Sequence, residues 1–261
     1  MEFTWLLTFL LLAGVTGFAA PQPDGVRKRF EETKTKAEKG DPAAQYKLGF
    51  CYFNGVGVDS DLDETVKWFR RAADQGYAAA QYQLSVFYAT DLLGAVANQP
   101  ESVKWLRKAA DQGYADAEYM LGLFYSRGDG VAKDATQAVK WLRKAGEQGH
   151  ADAQVKLGLM YHQGAEGVSQ DRVEAGKWFR KGAEQGSAEA QFNMAACYDH
   201  GEGVNHDAAE AVKWYRKAAA QGYRPAQHNL GIHYYEGKGV GRSVVEAHVA
   251  VHSLVELGSG K

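Results

Sequence analysis

The stretch Ala44–Val58 reads AQYKLGFCYFNGVGV, and the nearby stretch Glu64–Gly76 reads ETVKWFRRAADQG. In the first stretch, small and apolar residues recur at the spacing of one helical face, and a Gly-x-Gly-Val turn ends the helix. The second stretch places a tryptophan and two alanines on one face and ends at a glycine. Together they predict two antiparallel helices whose small residues allow a close approach.

The same two stretches recur along the chain, which identifies them as a repeat. The first alanine is always followed by Gln or Glu, and it returns every 36 or 37 residues. The later copies begin at Ala80, Ala117, Ala153, Ala190 and Ala226. A tryptophan follows each of the first five alanines by 24 or 25 residues, and a glycine comes eight residues later. Six helix pairs are therefore predicted, and 30 glycines beside only 5 prolines fit many recurring turns.

This pattern resembles the Sel1-like repeat, a relative of the tetratricopeptide repeat. The resemblance implies an all-α fold, namely a right-handed α-solenoid of antiparallel helix pairs with a concave face. It also implies an adaptor that assembles protein complexes. We expect the solenoid to span residues 40–258, in units 40–76, 77–113, 114–149, 150–186, 187–222 and 223–258. Residues 20–39 would form an N-terminal segment and a capping helix with a polar outer surface.

An uncharged apolar segment, Trp5–Ala20, precedes the repeats. Its core has the length of a signal-peptide h-region and is too short for a confident membrane span. A cut after Ala19 would leave Gly17 and Ala19 at the two small-residue positions, so we predict a signal peptide over residues 1–19. An uncleaved anchor is the alternative, because the segment before the apolar core carries Glu2 and no Lys or Arg. No Asn-x-Ser/Thr acceptor occurs, which favours a bacterial periplasm or cell envelope.

The charge balance excludes some classes of partner. The net charge is -2 and the pI is about 6.5, so the chain has no global basic field for nucleic acid or for an anionic membrane. No stable membrane insertion is expected once the signal is cleaved. A recurring basic run such as Lys67, Arg70 and Arg71 lies on the second helices, with an acid such as Glu64 three residues before its lysine. This spacing predicts same-helix ion pairs on a solvated outer face.

The search for catalytic or metal-binding groups finds none that is convincing. No Gly-x-Ser-x-Gly, Ser-x-x-Lys, Cys-x-x-Cys or phosphate loop occurs, so we predict neither an enzyme nor a cofactor. Cys51 and Cys197 occupy the same repeat position four units apart, too far for a disulfide. His248 and His252 have a spacing that can share a metal, but no third ligand is evident, so no metal is predicted.

The predicted binding surface lies on the first helices. Counting the first alanine of each repeat as position 0, positions +2, +6 and +9 lie opposite the core arc, and they are unusually aromatic and apolar. If these helices line the concave side, their side chains form its floor. The candidate partner-binding residues are Tyr46, Phe50, Phe53, Tyr82, Tyr119, Leu123, His162, Phe192, Asp199, His228 and Tyr235. An alternative for position +2 is that it packs one repeat against the next.

Three functions remain open from the sequence. We favour a scaffold that binds a peptide or an envelope protein in the concave groove, and a monomer is expected. A β-lactam-binding or β-lactam-hydrolysing protein is an alternative that rests on resemblance to disulfide-stapled bacterial Sel1-like proteins, whose cysteine pairs this chain lacks. A periplasmic regulator of a membrane sensor is the third.

Overall fold

The computed structural model describes residues 24–90 and 98–256, and the predicted signal segment 1–19 lies outside them. The described residues form thirteen α-helices and no strand. They are α1 (Asp24–Glu38), α2 (Pro42–Asn54), α3 (Leu62–Asp74), α4 (Ala78–Ala89), α5 (Gln99–Asp111), α6 (Ala115–Arg127), α7 (Ala135–Glu147), α8 (Ala151–Gln163), α9 (Arg172–Glu184), α10 (Ala188–His200), α11 (Ala208–Ala220), α12 (Arg224–Glu236) and α13 (Val244–Glu256).

The chain divides into two compact units, Met1–Gln112 and Gly113–Lys261. In the first unit, each helix from α1 to α5 packs against the next one along the chain, and the same holds from α6 to α13 in the second unit. The most extensive contacts are those within the predicted pairs, such as α2 with α3 and α10 with α11. The predicted all-α solenoid of helix pairs is therefore confirmed. Each described helix is too short or too polar to cross a membrane.

The helix ends follow from local sequence. Aspartates cap the second helices: Asp61 Oδ1 accepts a hydrogen bond from the amide of Glu64 at 3.0 Å, and Asp171 does the same for Glu174 at 2.9 Å. Four of the six first helices end at a glycine in the left-handed region, where a side chain would be strained. Those glycines are Gly55, Gly128, Gly201 and Gly237.

The second glycine of the turn serves another purpose. Gly203 has φ +72°, and a Cβ at this position would overlap the carbonyl oxygen of Arg172, the first residue of α9. The turn after α10 therefore rests directly on the second helix of the preceding repeat. Gly239 makes the same approach to Ala208 at the start of α11. Only a residue without a side chain fits this contact.

Small residues also set the distance between the two helices of a repeat. A Cβ at Gly158 of α8 would overlap the ring of Phe179 on α9, and Gly49 faces Phe69 in the same way, with the ring 2.6 Å from the added carbon. Both rings are at most 2% exposed. The small residues therefore let large side chains fill the space between the helices.

Buried glutamines, one residue after the first alanine, form a hydrogen-bond ladder. Gln191 Nε2 donates to the carbonyl oxygen of Ala183 in the preceding repeat at 3.2 Å, while Gln191 Oε1 accepts from Gln221 Nε2 at 2.9 Å. The same pattern recurs at Gln45, Gln81 and Gln154. Each buried amide is thus satisfied on both of its polar ends, as burial requires. At the equivalent position, Glu118 accepts from Gln148 at 2.6 Å.

Helix α1 packs against α2, and the two cysteines form no disulfide with each other. Cys51 and Cys197 are free thiols. Helix α1 buries Phe30 and Ala37, and the ring of Phe30 lies 5.7 Å from that of Tyr52 on α2. Most of the charged residues of α1 are exposed.

Candidate functional site

Three of the predicted binding residues of the first unit, Tyr46, Phe50 and Phe53, belong to an aromatic cluster. Tyr46, Phe50, Phe53 and Tyr82 are all half-buried. The ring of Tyr46 lies 5.0 Å from Phe50 on the same helix and 5.3 Å from Tyr77, which precedes the next first helix. These separations are typical of stabilising aromatic pairs. Position +2 therefore contributes to packing between repeats, and only part of each ring is available to a partner.

In the second unit, the predicted aromatic residues also contact neighbouring repeats. The ring of Tyr119 stacks on His150 at 4.4 Å, and the ring of Phe192 lies 5.4 Å from Tyr223. Leu123 is only 7% exposed. Tyr119 and Phe192 are half-buried, so part of each ring reaches the surface.

Two predicted residues are held by ionic contacts between repeats. His162 Nε2 lies 2.6 Å from Glu202 Oε2, and the hydrogen bond from His162 holds the pKa of Glu202 below its ordinary value. Asp199 lies 2.5 Å from Lys238 Nζ and 3.2 Å from His233 Nε2. Burial alone would raise the pKa of Asp199, but the hydrogen bond from Lys238 and the electrostatic effect of His233 lower it.

The last two predicted residues are the most accessible. His228 is exposed, and Tyr235 is 57% exposed. The guanidinium of Arg242 lies 5.5 Å from the centroid of the Tyr235 ring. His228 and Tyr235 lie on α12 together with Ile232, which is 41% exposed. Thus α12 presents an apolar surface, whereas the corresponding residues of the other repeats are partly or fully buried.

A groove of about 430 Å³ lies between the first helices α8 and α10. Leu159, Ala196 and the buried ring of Phe179 contribute apolar lining. Polar groups include His162 and Glu202, and the remaining lining residues are Gln163, Asn193, Cys197 and His200. Leu159, His162 and Ala196 are at positions +6, +9 and +6, so three of the nine lining residues come from the side of the first helices that the sequence singled out.

The groups near this groove have limited chemical reactivity. Burial raises the pKa of the Cys197 thiol to about 11, so it is protonated at neutral pH and is a poor nucleophile. Among residues 24–90 and 98–256, no three His, Cys, Asp or Glu side chains come together in a way that could hold a metal ion. The arrangement is suited to contact with a ligand surface.

The basic run on the second helices has a structural role that the sequence analysis missed. The predicted ion pairs do form, for example between Lys67 Nζ and Glu64 Oε1 at 2.5 Å. The following arginine, however, donates to a tyrosine of the next repeat: Arg180 Nη2 bonds to the hydroxyl of Tyr198 at 2.7 Å. The same bond joins Arg70 to Tyr88, Arg143 to Tyr161 and Arg216 to Tyr234. The arginine and the tyrosine are 18 residues apart in each of these pairs, and this constant spacing is the feature of the sequence that could have revealed the bond.

The acid before the lysine also has a second partner. Glu174 accepts a hydrogen bond from Trp178 Nε1 at 3.0 Å, and Glu101 accepts one from Trp105 Nε1 at 2.9 Å. The tryptophan is thereby satisfied while its ring is buried. These polar residues stabilise the repeat as well as covering its outer face.

The comparison with known proteins identifies the repeat. The Sel1 repeat family model matches residues 42–77, 78–114, 115–150, 151–187, 188–223 and 224–248. A protective antigen of uropathogenic Escherichia coli that displays an SLR fold is 38% identical with a TM-score of 0.84, and the match covers 88% of this chain and 49% of that one. A Sel1 repeat protein from Oxalobacter formigenes is 33% identical with a TM-score of 0.76, over 90% of this chain and 92% of that one.

Similarity to curated proteins is limited to short segments. A 42-residue segment, 16% of this chain, is 48% identical to the secretory immunoglobulin A-binding protein EsiB of Escherichia coli and covers 9% of that protein. The first curated relatives are likewise matched over only 7% to 9% of their lengths. The matches across all six repeats nevertheless establish the family. This chain belongs to the Sel1 repeat family, whose members are generally scaffolds or regulators that bind other proteins.

Proposed function

We propose that this chain is a scaffold that binds a peptide or a protein partner on the exposed side of its first helices. The observation that carries the proposal is the groove between α8 and α10. It combines apolar lining with a few polar groups. This composition is usual for a site that buries an apolar side chain of a ligand and uses polar contacts to orient the ligand. The family relationship supports the same general role.

The lining of the groove is suited to an apolar side chain of a partner. Leu159 and Ala196 are half-buried, so each keeps surface that a ligand can cover. Glu202 is hydrogen-bonded to His162 at 2.6 Å and ion-paired with Arg172 Nη2 at 3.5 Å, so its carboxylate already has partners beside the apolar lining. An inserted apolar side chain would therefore bury the lining without stranding a charge.

A site-specific crosslinker tests this proposal. We expect a photoreactive amino acid at position 196 to capture a partner when the protein is expressed in its native host, and mass spectrometry would identify the product. Ala209 is the matched control, because it is also an alanine but is exposed on the second helix α11. Crosslinking at 196 and not at 209 supports the proposal. Equal products at both positions, or none at 196, would contradict it.

The captured partner should then bind through the apolar lining. Leu159→Glu places a charge in the groove, and we expect it to abolish partner binding while the helical circular dichroism stays unchanged. Val173→Glu, which changes a 55% exposed valine on α9, serves as the control and should bind normally. Normal binding by Leu159→Glu would place the partner on another surface.

We further propose that the scaffold acts in the bacterial cell envelope after removal of residues 1–19. The apolar segment Trp5–Ala20 supports this location, and so does the similarity to bacterial Sel1 repeat proteins. The partner would then be an envelope protein, and a membrane sensor is one such candidate. Intact-mass measurement of the exported protein tests the cleavage. A mass that retains residues 1–19 would favour the anchor instead.

A further inference from the structure

The second helices of the second unit concentrate positive charge. Together α7, α9 and α11 carry ten basic and four acidic residues, a net charge of +6, or +3 with the aspartates that cap them, whereas the whole chain has a net charge of -2. The acids lie in the first and last turns of these helices, and the middle turns contain none. All lysines of these middle turns are exposed, and we call them the lysine band: Lys140, Lys144, Lys177, Lys181, Lys213 and Lys217.

Half of the lysine band has no acidic partner. On each helix, the second lysine lies over the face of the tryptophan three residues before it, with its Nζ atom 3.9 to 4.2 Å from the ring centroid. These tryptophan-bound lysines are Lys144, Lys181 and Lys217. None of them makes an ion pair with a carboxylate in the part of the chain that the structure describes. An aromatic ring attracts an ammonium group without neutralising it, so these charges stay available to an anionic partner.

The last second helix, α13, continues the same surface with aliphatic side chains. Val249 occupies the position of Lys177 and Lys213 in the preceding repeats, and Val245 lies one turn earlier on the same side. Val249 is 61% exposed and Val245 is 74% exposed. Lys177 and Lys213 are each 65% exposed although another repeat follows them, so this position lies on the outer side of the unit and is not one that a following repeat covers.

Exposed valines beside a basic band are suited to the surface of an anionic bilayer. The lysines attract anionic headgroups, and their flexible aliphatic stems let the ammonium groups reach those headgroups. The valines are stabilised when they leave water for the boundary between headgroups and acyl chains. A soluble acidic polymer would pair with the lysines but would leave the valines in water. The valines therefore favour the bilayer as the partner.

We propose that the lysine band, together with Val245 and Val249, binds the second unit to the surface of an anionic phospholipid bilayer. The second helices then face the lipid, while the groove between α8 and α10 lies on first helices and can still bind its partner. The attachment is peripheral and reversible. Because the attraction is mostly between exposed charges, it weakens as the salt concentration rises.

Flotation of the full chain with lipid vesicles tests the proposal. We expect binding to phosphatidylcholine vesicles that contain about 30% phosphatidylglycerol, and much weaker binding to phosphatidylcholine alone. Raising the salt from about 0.02 M to about 0.5 M should remove the difference between the two. Because the segment Trp5–Ala20 is uncharged, this difference measures the attraction of the lysines. Equal binding to both vesicles, or a difference that persists at high salt, would overturn the proposal.

Substitution of the tryptophan-bound lysines locates the attraction. Each lysine near an anionic surface strengthens binding by about 5-fold, so replacing all three with glutamine should weaken binding to the anionic vesicles by about 100-fold. The matched control makes the same change of net charge at three lysines outside the second helices: Lys47, Lys133 and Lys156. It should bind nearly as well as the wild type, and both variants should keep their helical circular dichroism. Equal losses in the two variants would refute a specific lysine surface.

Substitution of the two valines distinguishes a bilayer from a soluble acidic polymer. Val245→Ser combined with Val249→Ser should weaken binding to the anionic vesicles at least several-fold and leave binding to soluble polyglutamate unchanged. If the double substitution leaves vesicle binding unchanged, or if polyglutamate displaces the vesicles at an equal concentration of charge, the surface binds acidic polymers and the proposal is wrong. Crosslinking at position 196 does not require lipid, so the two proposals fail separately.

Discussion

Replacing Gly203 with alanine tests whether the turn after α10 really rests on the preceding repeat. Gly203 has φ +72° and Gly201 has φ +69°, so alanine is strained by a similar amount at both positions. That backbone strain costs about 1–2 kcal/mol. At Gly203 the new Cβ would also overlap the carbonyl oxygen of Arg172, and main chain cannot move aside as a flexible side chain can. At Gly201 the nearest atom is His206 Cβ at 3.3 Å, a contact that a small adjustment relieves.

The overlap should add about 1–3 kcal/mol for Gly203→Ala, the usual cost of overpacking. For a domain of this size, 1 kcal/mol lowers the Tm by about 2–4 °C. We therefore expect Gly201→Ala to melt a few degrees below the wild type, and Gly203→Ala to melt lower still. Thermal unfolding followed by circular dichroism at 222 nm measures both, and hydrogen exchange should show the added loss at the start of α9 and around the turn. Equal melting temperatures for the two variants would refute a close contact between this turn and the preceding repeat.

Three further substitutions test the packing between helices and a buried acid. Gly158→Ala should lower the free energy of unfolding by about 1–3 kcal/mol, because its new Cβ would overlap the ring of Phe179. The control Gly176→Ala, whose nearest contact is at 3.7 Å, should raise the free energy of unfolding by about 0.5–1 kcal/mol. Denaturant titration measures both, and equal effects would contradict the close packing at Gly158. Burial raises the pKa of Glu118 in the folded protein, despite the hydrogen bond from Gln148. The protonated carboxyl is therefore favoured by folding. The stability that it contributes is fully present below the pKa of the unfolded state and is lost as the pH rises through the pKa of the folded state. Glu118→Gln should therefore stabilise the protein more at pH 7 than at pH 4, and a gain that does not depend on pH would show that the pKa of the carboxyl is not raised.

The repeat was predictable because its marker residues have a strict spacing. The alanine, the tryptophan and the turn glycines are each required at one place by packing or by backbone geometry, so they recur and can be counted. The solvated outer face was predicted less completely. The Glu64–Lys67 pair is local and follows from helical spacing, but the bond from Arg180 to Tyr198 joins two repeats and depends on how they stack.

The binding surface illustrates the same limit. Helical periodicity placed positions +2, +6 and +9 on one side of each first helix, and Leu159, His162 and Ala196 do lie together at the groove. Periodicity alone could not show how much of that side the next repeat covers. The sequence offered Asp199 as a carboxylate available to a partner. In the structure, its carboxylate contacts His233 and Lys238 of the following repeat. The distance between stacked helices determines how much of this surface the next repeat covers, and the sequence does not give that distance directly.

The contacts at position +9 also make two junctions between repeats chemically different from each other. The glutamine ladder and the arginine–tyrosine bonds use the same residue types in several repeats, so they would let many pairs of repeats stack equally well. Phe53 on Phe87 and Asp199 on His233 are different, because one pair is apolar and the other ionic. Exchanging whole repeats would set a carboxylate against a phenyl ring and leave a histidine without its acid. A chain with shuffled repeats would retain its helices and lose stability at those two junctions, so each of these two repeats is matched to its own neighbour.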